Sequence, residues 1–300
     1  MTLNSLSRSN RLPRSWIKPG LWGIALLIIA VAMIGQIHGK PAATICLVLT
    51  LPFAIAHGAW RYGWKTIGLF FGATWLLSNA FENLSILTGF PFGHYHYTGG
   101  YKIFLVPAHI GIIYCGLGYV SWLVAATLLD EADLKLDLGR VKAAKYNLLA
   151  LPLVAGAVMT MWDVSTDSLA STVQKTWIWE NGGGFFGVPY TNYLGWWFVT
   201  WSFFQVFALI LSYLQVQADK KPTMRSGFLL PPVLIYGSLG LSMTIFFFLS
   251  DRTASVTDMT GKAWSESAII ETTMIVSLFT VVPVAILAIA KLLQGNDEHA

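Results

Sequence analysis

Three carboxylic acids stand in stretches of this chain where a soluble surface would not place them. Asp163 and Asp167 are four residues apart, a spacing that turns two helical side chains to one face. Glu82 has Asn79 and Asn83 close by. Ionisable groups within apolar spans are costly to hold and mark function by default. A carboxylic acid kept protonated in an apolar pocket can donate a proton, and a second carboxylate can accept one. Asp163 and Asp167 suit that acid and base pair, with Glu82 able to fill either role. Glu271, alone near the start of the last apolar run, reads as a helix-end acid.

Two segments rich in glycine, proline and aromatics follow these acids: 89–100, reading Gly-Phe-Pro-Phe-Gly-His-Tyr-His-Tyr-Thr-Gly-Gly, and 177–192, from Trp177 to Asn192. Trp177, Trp179, Trp196, Trp197, Tyr95 and Tyr97 could offer π-faces to a cation, an attraction of ~2 kcal/mol or more when desolvated. The same residue types crowd membrane interfaces as belts. Asn192 could position water or an acid. His94 and His96 fit hydrogen bonding or proton relay better than metal ligation, because the chain has six histidines and no His-Glu-x-x-His pair. No metal site and no cofactor is expected.

The elements that must hold these residues follow from composition. Of 300 residues 55% are hydrophobic and 11% charged, against ~25% charged in soluble domains. Soluble, disordered, collagen-like and disulfide-scaffold classes are excluded. A transmembrane helix takes ~20 apolar residues, and the long apolar runs predict an all-α bundle of about eight spans near 17–37, 42–60, 66–88, 104–128, 147–167, 190–215, 228–249 and 268–292. Pro52 and Pro283 read as tolerable kinks. The expected organisation is a basic tail at 1–16, a single transmembrane domain at 17–292 and a short tail at 293–300. The first span reads as uncleaved, since its apolar region exceeds the ~7–15 residues of a signal peptide.

Cytoplasmic loops carry the Lys/Arg excess. With the N-terminus inside, that side holds Arg8, Arg11, Arg14, Lys18, Arg61, Lys65, Lys135, Arg140, Lys142, Lys145, Lys220, Lys221, Arg225 and Lys291. The other side keeps Lys40, Lys102, Lys175, Arg252 and Lys262. Both termini are therefore expected in the cytoplasm, and the three acids near the outer face. The pI of about 9.0 reports this topology and not nucleic-acid binding, because the basic residues are scattered between apolar runs. Asp130 to Lys145, of mixed sign, reads as solvated surface. Cys46 and Cys115 read as buried apolar thiols. A short parallel echo links Gly99-Gly100…Val106-Pro107 with Gly183-Gly184…Val188-Pro189.

Glu82 followed by Gly89-Phe-Pro-Phe-Gly-His-Tyr-His-Tyr97, Asp163-x-x-x-Asp167, Trp177-x-Trp179 and Gly187-Val-Pro-x-x-Asn-x-x-Gly-Trp196 resembles the carotenoid biosynthesis membrane proteins that include hydratases of the bisanhydrobacterioruberin hydratase type. The resemblance spans roughly 75–205. Ser168 stands where that family usually has proline. It implies cofactor-independent hydration of the terminal double bond of an acyclic carotenoid or isoprenoid end group to a tertiary alcohol. It also implies Asp163, Asp167 and Glu82 as catalytic groups, with His94, Tyr95, His96, Tyr97, Trp177, Trp179, Asn192 and Trp196 around the substrate. The expected partners are a hydrophobic polyene, water and the lipid bilayer. The residues alone leave open a proton-coupled transporter or lipid-binding protein, an isomerase or cyclase using the same cation, and the oligomeric state.

Overall fold

The computed structural model describes residues 14–38, 41–217, 229–250 and 253–297. Arg8, Arg11, Lys40, Lys220, Lys221, Arg225, Arg252 and His299 lie outside the described residues.

The fold is helical, as the apolar runs require: backbone groups in hydrocarbon must be satisfied within the segment. The helices are α1 (Arg14–His38), α2 (Pro41–Tyr62), α3 (Trp64–Thr88), α4 (Ala108–Leu128), α5 (Ala144–Ser168), α6 (Tyr190–Gln217), α7 (Leu230–Leu249), α8 (Glu266–Phe279) and α9 (Val281–Asp297). Seven segments are long and apolar enough to cross a membrane, with α8 and α9 counted as one. The chain is therefore a multi-pass integral membrane protein. The remaining helix, α3, has 25 residues, but Ser78, Asn79, Glu82 and Asn83 dilute its hydropathy. Its polar turns belong to the acid site described below.

Two expected boundaries shift. The fourth span begins at Ala108, not near 104, because Lys102–Ile103 (β2) and Val106–Pro107 (β3) form a small antiparallel ribbon ahead of it. The last span breaks at Thr280, between α8 and α9. Pro283 has no N–H for the carbonyl of Phe279, and its ring would clash there; the helix restarts instead of kinking. Pro52 stays within continuous α2.

Helix α4 is the central element, with 15 of its 21 residues buried. It packs against α2, α3, α5 and α7. Close approach to α2 needs the bare Gly116, where a Cβ would stand 2.1 Å from Thr50 Oγ1 and 2.7 Å from the Leu51 nitrogen. Small residues let membrane helices approach in this way. Phe70, Tyr119, Trp122 and Phe207 fill the interior, with Phe70 and Phe207 centroids 4.8 Å apart. Leu26, Leu76 and Leu87 lie exposed on the outside of the bundle, as lipid-facing residues do.

One end of the bundle is tied by ions. Arg61 at the end of α2 donates from Nε to Asp133 Oδ2 at 2.8 Å, and from Nη2 to Asp133 Oδ1 at 2.9 Å and Glu131 Oε2 at 3.1 Å. The Tyr62 hydroxyl also donates to Asp133. Gln215 near the end of α6 donates to the Asp133 carbonyl at 2.8 Å. The segment from Asp130 to Lys145 is thus not simply solvated: Asp133 is fully buried and Asp137 nearly so. A charge run in the sequence conceals this, since the partner Arg61 lies 72 residues away. The opposite end carries the strands β1 (Tyr95–Tyr97), β4 (Trp177–Trp179) and the hairpin of β5 (Ser255–Thr257) and β6 (Ala263–Ser265).

Candidate active site

The two aromatic segments meet as a ribbon. Strands β1 and β4 pair antiparallel, with Tyr95 opposite Trp179, His96 opposite Ile178 and Tyr97 opposite Trp177. Successive strand side chains point to opposite faces, so Tyr95 and Tyr97 turn inward while His96 turns out. Helix α6 seats against the first loop through Gly195, where a Cβ would stand 2.7 Å from the Phe92 ring and 2.9 Å from the Pro91 carbonyl. The Thr191 hydroxyl donates to the Phe92 carbonyl at 3.0 Å.

Beneath this ribbon is a cavity of about 400 Å³. The residues lining it come from the late turns of α1, α3, α5 and α7 and the early turns of α2, α4, α6 and α8. All therefore lie at the end of the bundle away from Arg61, which is the outer half in the orientation the basic residues predict. Glu82, Tyr95, Tyr97, Asp163, Trp177, Trp179, Asn192 and Trp196 all line it.

Glu82 is enclosed by tyrosines. The Tyr114 hydroxyl donates to Oε1 at 2.8 Å, the Tyr97 hydroxyl to Oε2 at 2.9 Å, and the Tyr95 hydroxyl also to Oε2. A group that accepts three hydrogen bonds and donates none has the pattern of an ionised carboxylate. Asp163 and Asp167, both buried, share one amide: Asn192 Nδ2 donates to Asp163 Oδ2 at 3.0 Å and also to Asp167 Oδ2. Asp167 further accepts from Trp177 Nε1 at 3.1 Å. Asp167 stands behind Asn192 and Trp177, and Asp163 reaches the cavity. Just beyond Asp167 the helix widens into a π-turn over Leu169–Val173, a distortion common near functional sites. The Ser171 hydroxyl donates to the Asp167 carbonyl at 2.8 Å.

Aromatic faces surround these acids. Trp196 stacks on Tyr114 at 4.9 Å and 13°, and Tyr95 lies 4.9 Å from Trp179. Among the described residues, no lysine or arginine lines the cavity.

Four sequence candidates lie elsewhere. His94 borders a separate cleft with Thr88, Pro91 and Pro189. His96 is exposed and 3.3 Å from Glu180. Trp197 donates to the Leu153 carbonyl at 3.1 Å and is 44% exposed. Glu271 is exposed. Conversely, the residue reading passes over Tyr114, a tyrosine in an apolar helix whose importance appears only when α3 and α4 pack. It also passes over Glu266 and His109, which line the cavity. The signal that could have found the ribbon is the alternation itself, Tyr-x-Tyr in one loop and Trp-x-Trp in the other.

A multi-pass helical membrane protein with a buried, acid-lined aromatic cavity is the class these observations define. The family described as carotenoid biosynthesis protein matches residues 42–257, and the chain belongs to it. The match takes in every acid and aromatic of the cavity named above except Glu266. No curated protein and no solved structure matches the chain.

Proposed function

We propose that the protein is a cofactor-independent hydratase acting on the terminal double bond of an acyclic carotenoid or related isoprenoid. The observation that carries this reading is a cavity lined by Glu82 and Asp163, walled by indole and phenol rings, with no lysine or arginine among its described lining residues. Such an environment favours a cationic intermediate over an anionic one, through fixed negative charge and through π-faces.

Asp163 is assigned as proton donor. It reaches the cavity and receives a hydrogen bond from Asn192. Its proton passes to the less substituted alkene carbon, leaving a tertiary cation. Glu82, held as an anion by three phenols, stabilises that cation. A water oxygen then bonds to the tertiary carbon, and the proton it loses passes to Glu82. Proton return from Glu82 to Asp163 through cavity water closes the cycle, with one water added and no redox change. Asp167 is a positioning residue: through Asn192 and Trp177 it orients the groups that face the substrate. His94 and His96 have no part in this scheme.

A transporter using the same acids would need a path to the far face. The acids cluster at one end of the bundle, and the other end is closed around the buried Arg61–Asp133 pair, which favours the enzyme.

The test is expression in cells that accumulate acyclic carotenoids, with product analysis by mass. A product heavier by one water is expected, and in deuterated water one carbon-bound deuterium at the end group. Asp163→Asn should lower the rate by ~10²–10⁴, the range for a general acid. An unchanged pigment profile with folded protein in the membrane would overturn the reading.

A further inference from the structure

The acids occupy one part of the cavity wall; the rest is of a different kind. Leu239, Ser242, Met243, Phe246 and Ser250 line it from α7 and the residue after it, and their spacing of three and four puts them on one helical face. At 1.5 Å per residue that face runs ~16 Å along the bundle. Val31 and Ala32 of α1 and Cys46 and Leu47 of α2 continue this wall. Cys46 is already engaged with the Ile28 carbonyl at 3.5 Å. The wall carries no ionisable group other than this thiol. Val31 and Ala32 of α1, like Glu266 of α8, line the cavity from outside the family match of 42–257.

A cavity of about 400 Å³ lies low in the ~300–1,000 Å³ range of pockets that enclose drug-sized ligands. It has room for a branched terminus and the chain next to it. We propose that the α1–α2–α7 wall is the chain-binding subsite, with Ala32 and Met243 as the residues that set which isoprenoid chain is accepted behind the reacting terminus. The inference rests on the hydratase reading for the position of that terminus. Apolar contact along the wall holds the chain while the acid side holds the double bond. Ala32 is the smallest side chain on the wall, so enlarging it removes space that no polar contact can restore.

The test compares two acyclic substrates with the same terminus, a full-length polyene and a short isoprenoid, in membranes containing the full chain. Ala32→Phe is expected to raise KM for the polyene about tenfold, the effect of displacing two methyl-sized groups from apolar contact, and to leave the short substrate nearly unchanged. Met243→Ala, which adds space and is the safer variant for folding, is expected to weaken discrimination between the two. Polyene binding is read independently by quenching of tryptophan fluorescence in an Asp163→Asn background, where no turnover interferes. If the wild type hydrates either substrate and neither variant alters discrimination or quenching, the subsite is wrong and the hydratase stands. If the wild type hydrates neither, the reaction is wrong, and quenching alone decides the subsite: a loss in Ala32→Phe supports it and an unchanged titration overturns it.

Discussion

Replacing Glu82 by Gln and, separately, Tyr114 by Phe separates the charge of the carboxylate from the hydroxyls that hold it. Glu82→Gln keeps the shape and removes the negative charge that faces the cation. Removing one electrostatic stabiliser of a transition state costs ~10²–10³ in kcat, or about 2.7–4 kcal/mol. Tyr114→Phe removes one charge-assisted hydrogen bond, worth about 1.5–3 kcal/mol to the held anion, and keeps the ring stacked on Trp196. Tyr95 and Tyr97 still donate to Glu82, so the charge persists and only its placement loosens. The rate should then fall about tenfold, which is ~1.4 kcal/mol. The assay is the initial rate of hydrated product from an acyclic polyene in proteoliposomes, normalised to folded protein by gel filtration. The expected order is wild type, then Tyr114→Phe, then Glu82→Gln, with well-separated values. A Glu82→Gln rate within about threefold of wild type would refute a stabilising charge. Equal, large losses in both variants would show that the cage serves structure and not the cation.

Two further outcomes follow from groups outside the cavity. Arg61→Met leaves Asp133 buried without its charge partner, a loss of about 3–5 kcal/mol, whereas Arg61→Met with Asp133→Leu should regain most of it; thermal unfolding in detergent measures both, and equal stability of single and double variants would contradict a buried pair. Asp258, in the turn between β5 and β6, is pushed up by its partial burial. Hydrogen bonds from the Thr260 hydroxyl, the Trp264 indole and the backbone N–H groups of Lys262 and Thr260 outweigh this and hold it below its ordinary value. With the folded value below the unfolded one, its stabilisation is present above the unfolded value and lost as pH falls through the folded one. Trp264, whose Nε1 donates to Asp258 Oδ2 at 2.8 Å, should report this as a fluorescence change in acid that Asp258→Asn abolishes.

What could be read from residues alone depended on the range of the interaction. Helix positions rest on hydropathy within one segment, so the spans were legible to within a few residues. The exceptions, the ribbon before Ala108 and the break at Thr280, arise where local turn chemistry outweighs hydropathy. The pairing of Asp163 with Asp167 was legible too, because four residues on a helix is a local geometry. Asn192, 29 residues beyond Asp163, needed the α5–α6 packing to show that one amide serves both acids.

The aromatic residues divide by the same criterion, and the division bears on chemistry. An interfacial belt and a cation-binding cavity draw on the same side chains, and composition cannot separate them. Strand alternation does. It sends Tyr95 and Tyr97 to Glu82 and sends His96 to solvent, so two residue types adjacent in sequence take opposite roles. Trp177 and Trp179 enter the cavity by the pairing of β4 with β1, while Trp197, next to the lining residue Trp196, faces away. The unit that builds the site is therefore a two-stranded ribbon joining loops some 80 residues apart. Its inward face supplies both the hydroxyls that donate to Glu82 and the rings around it. A substitution that slipped this ribbon by one residue would exchange the two faces. His96 would then replace the tyrosines over Glu82, and both the acceptor cage and the aromatic wall would be lost in one step.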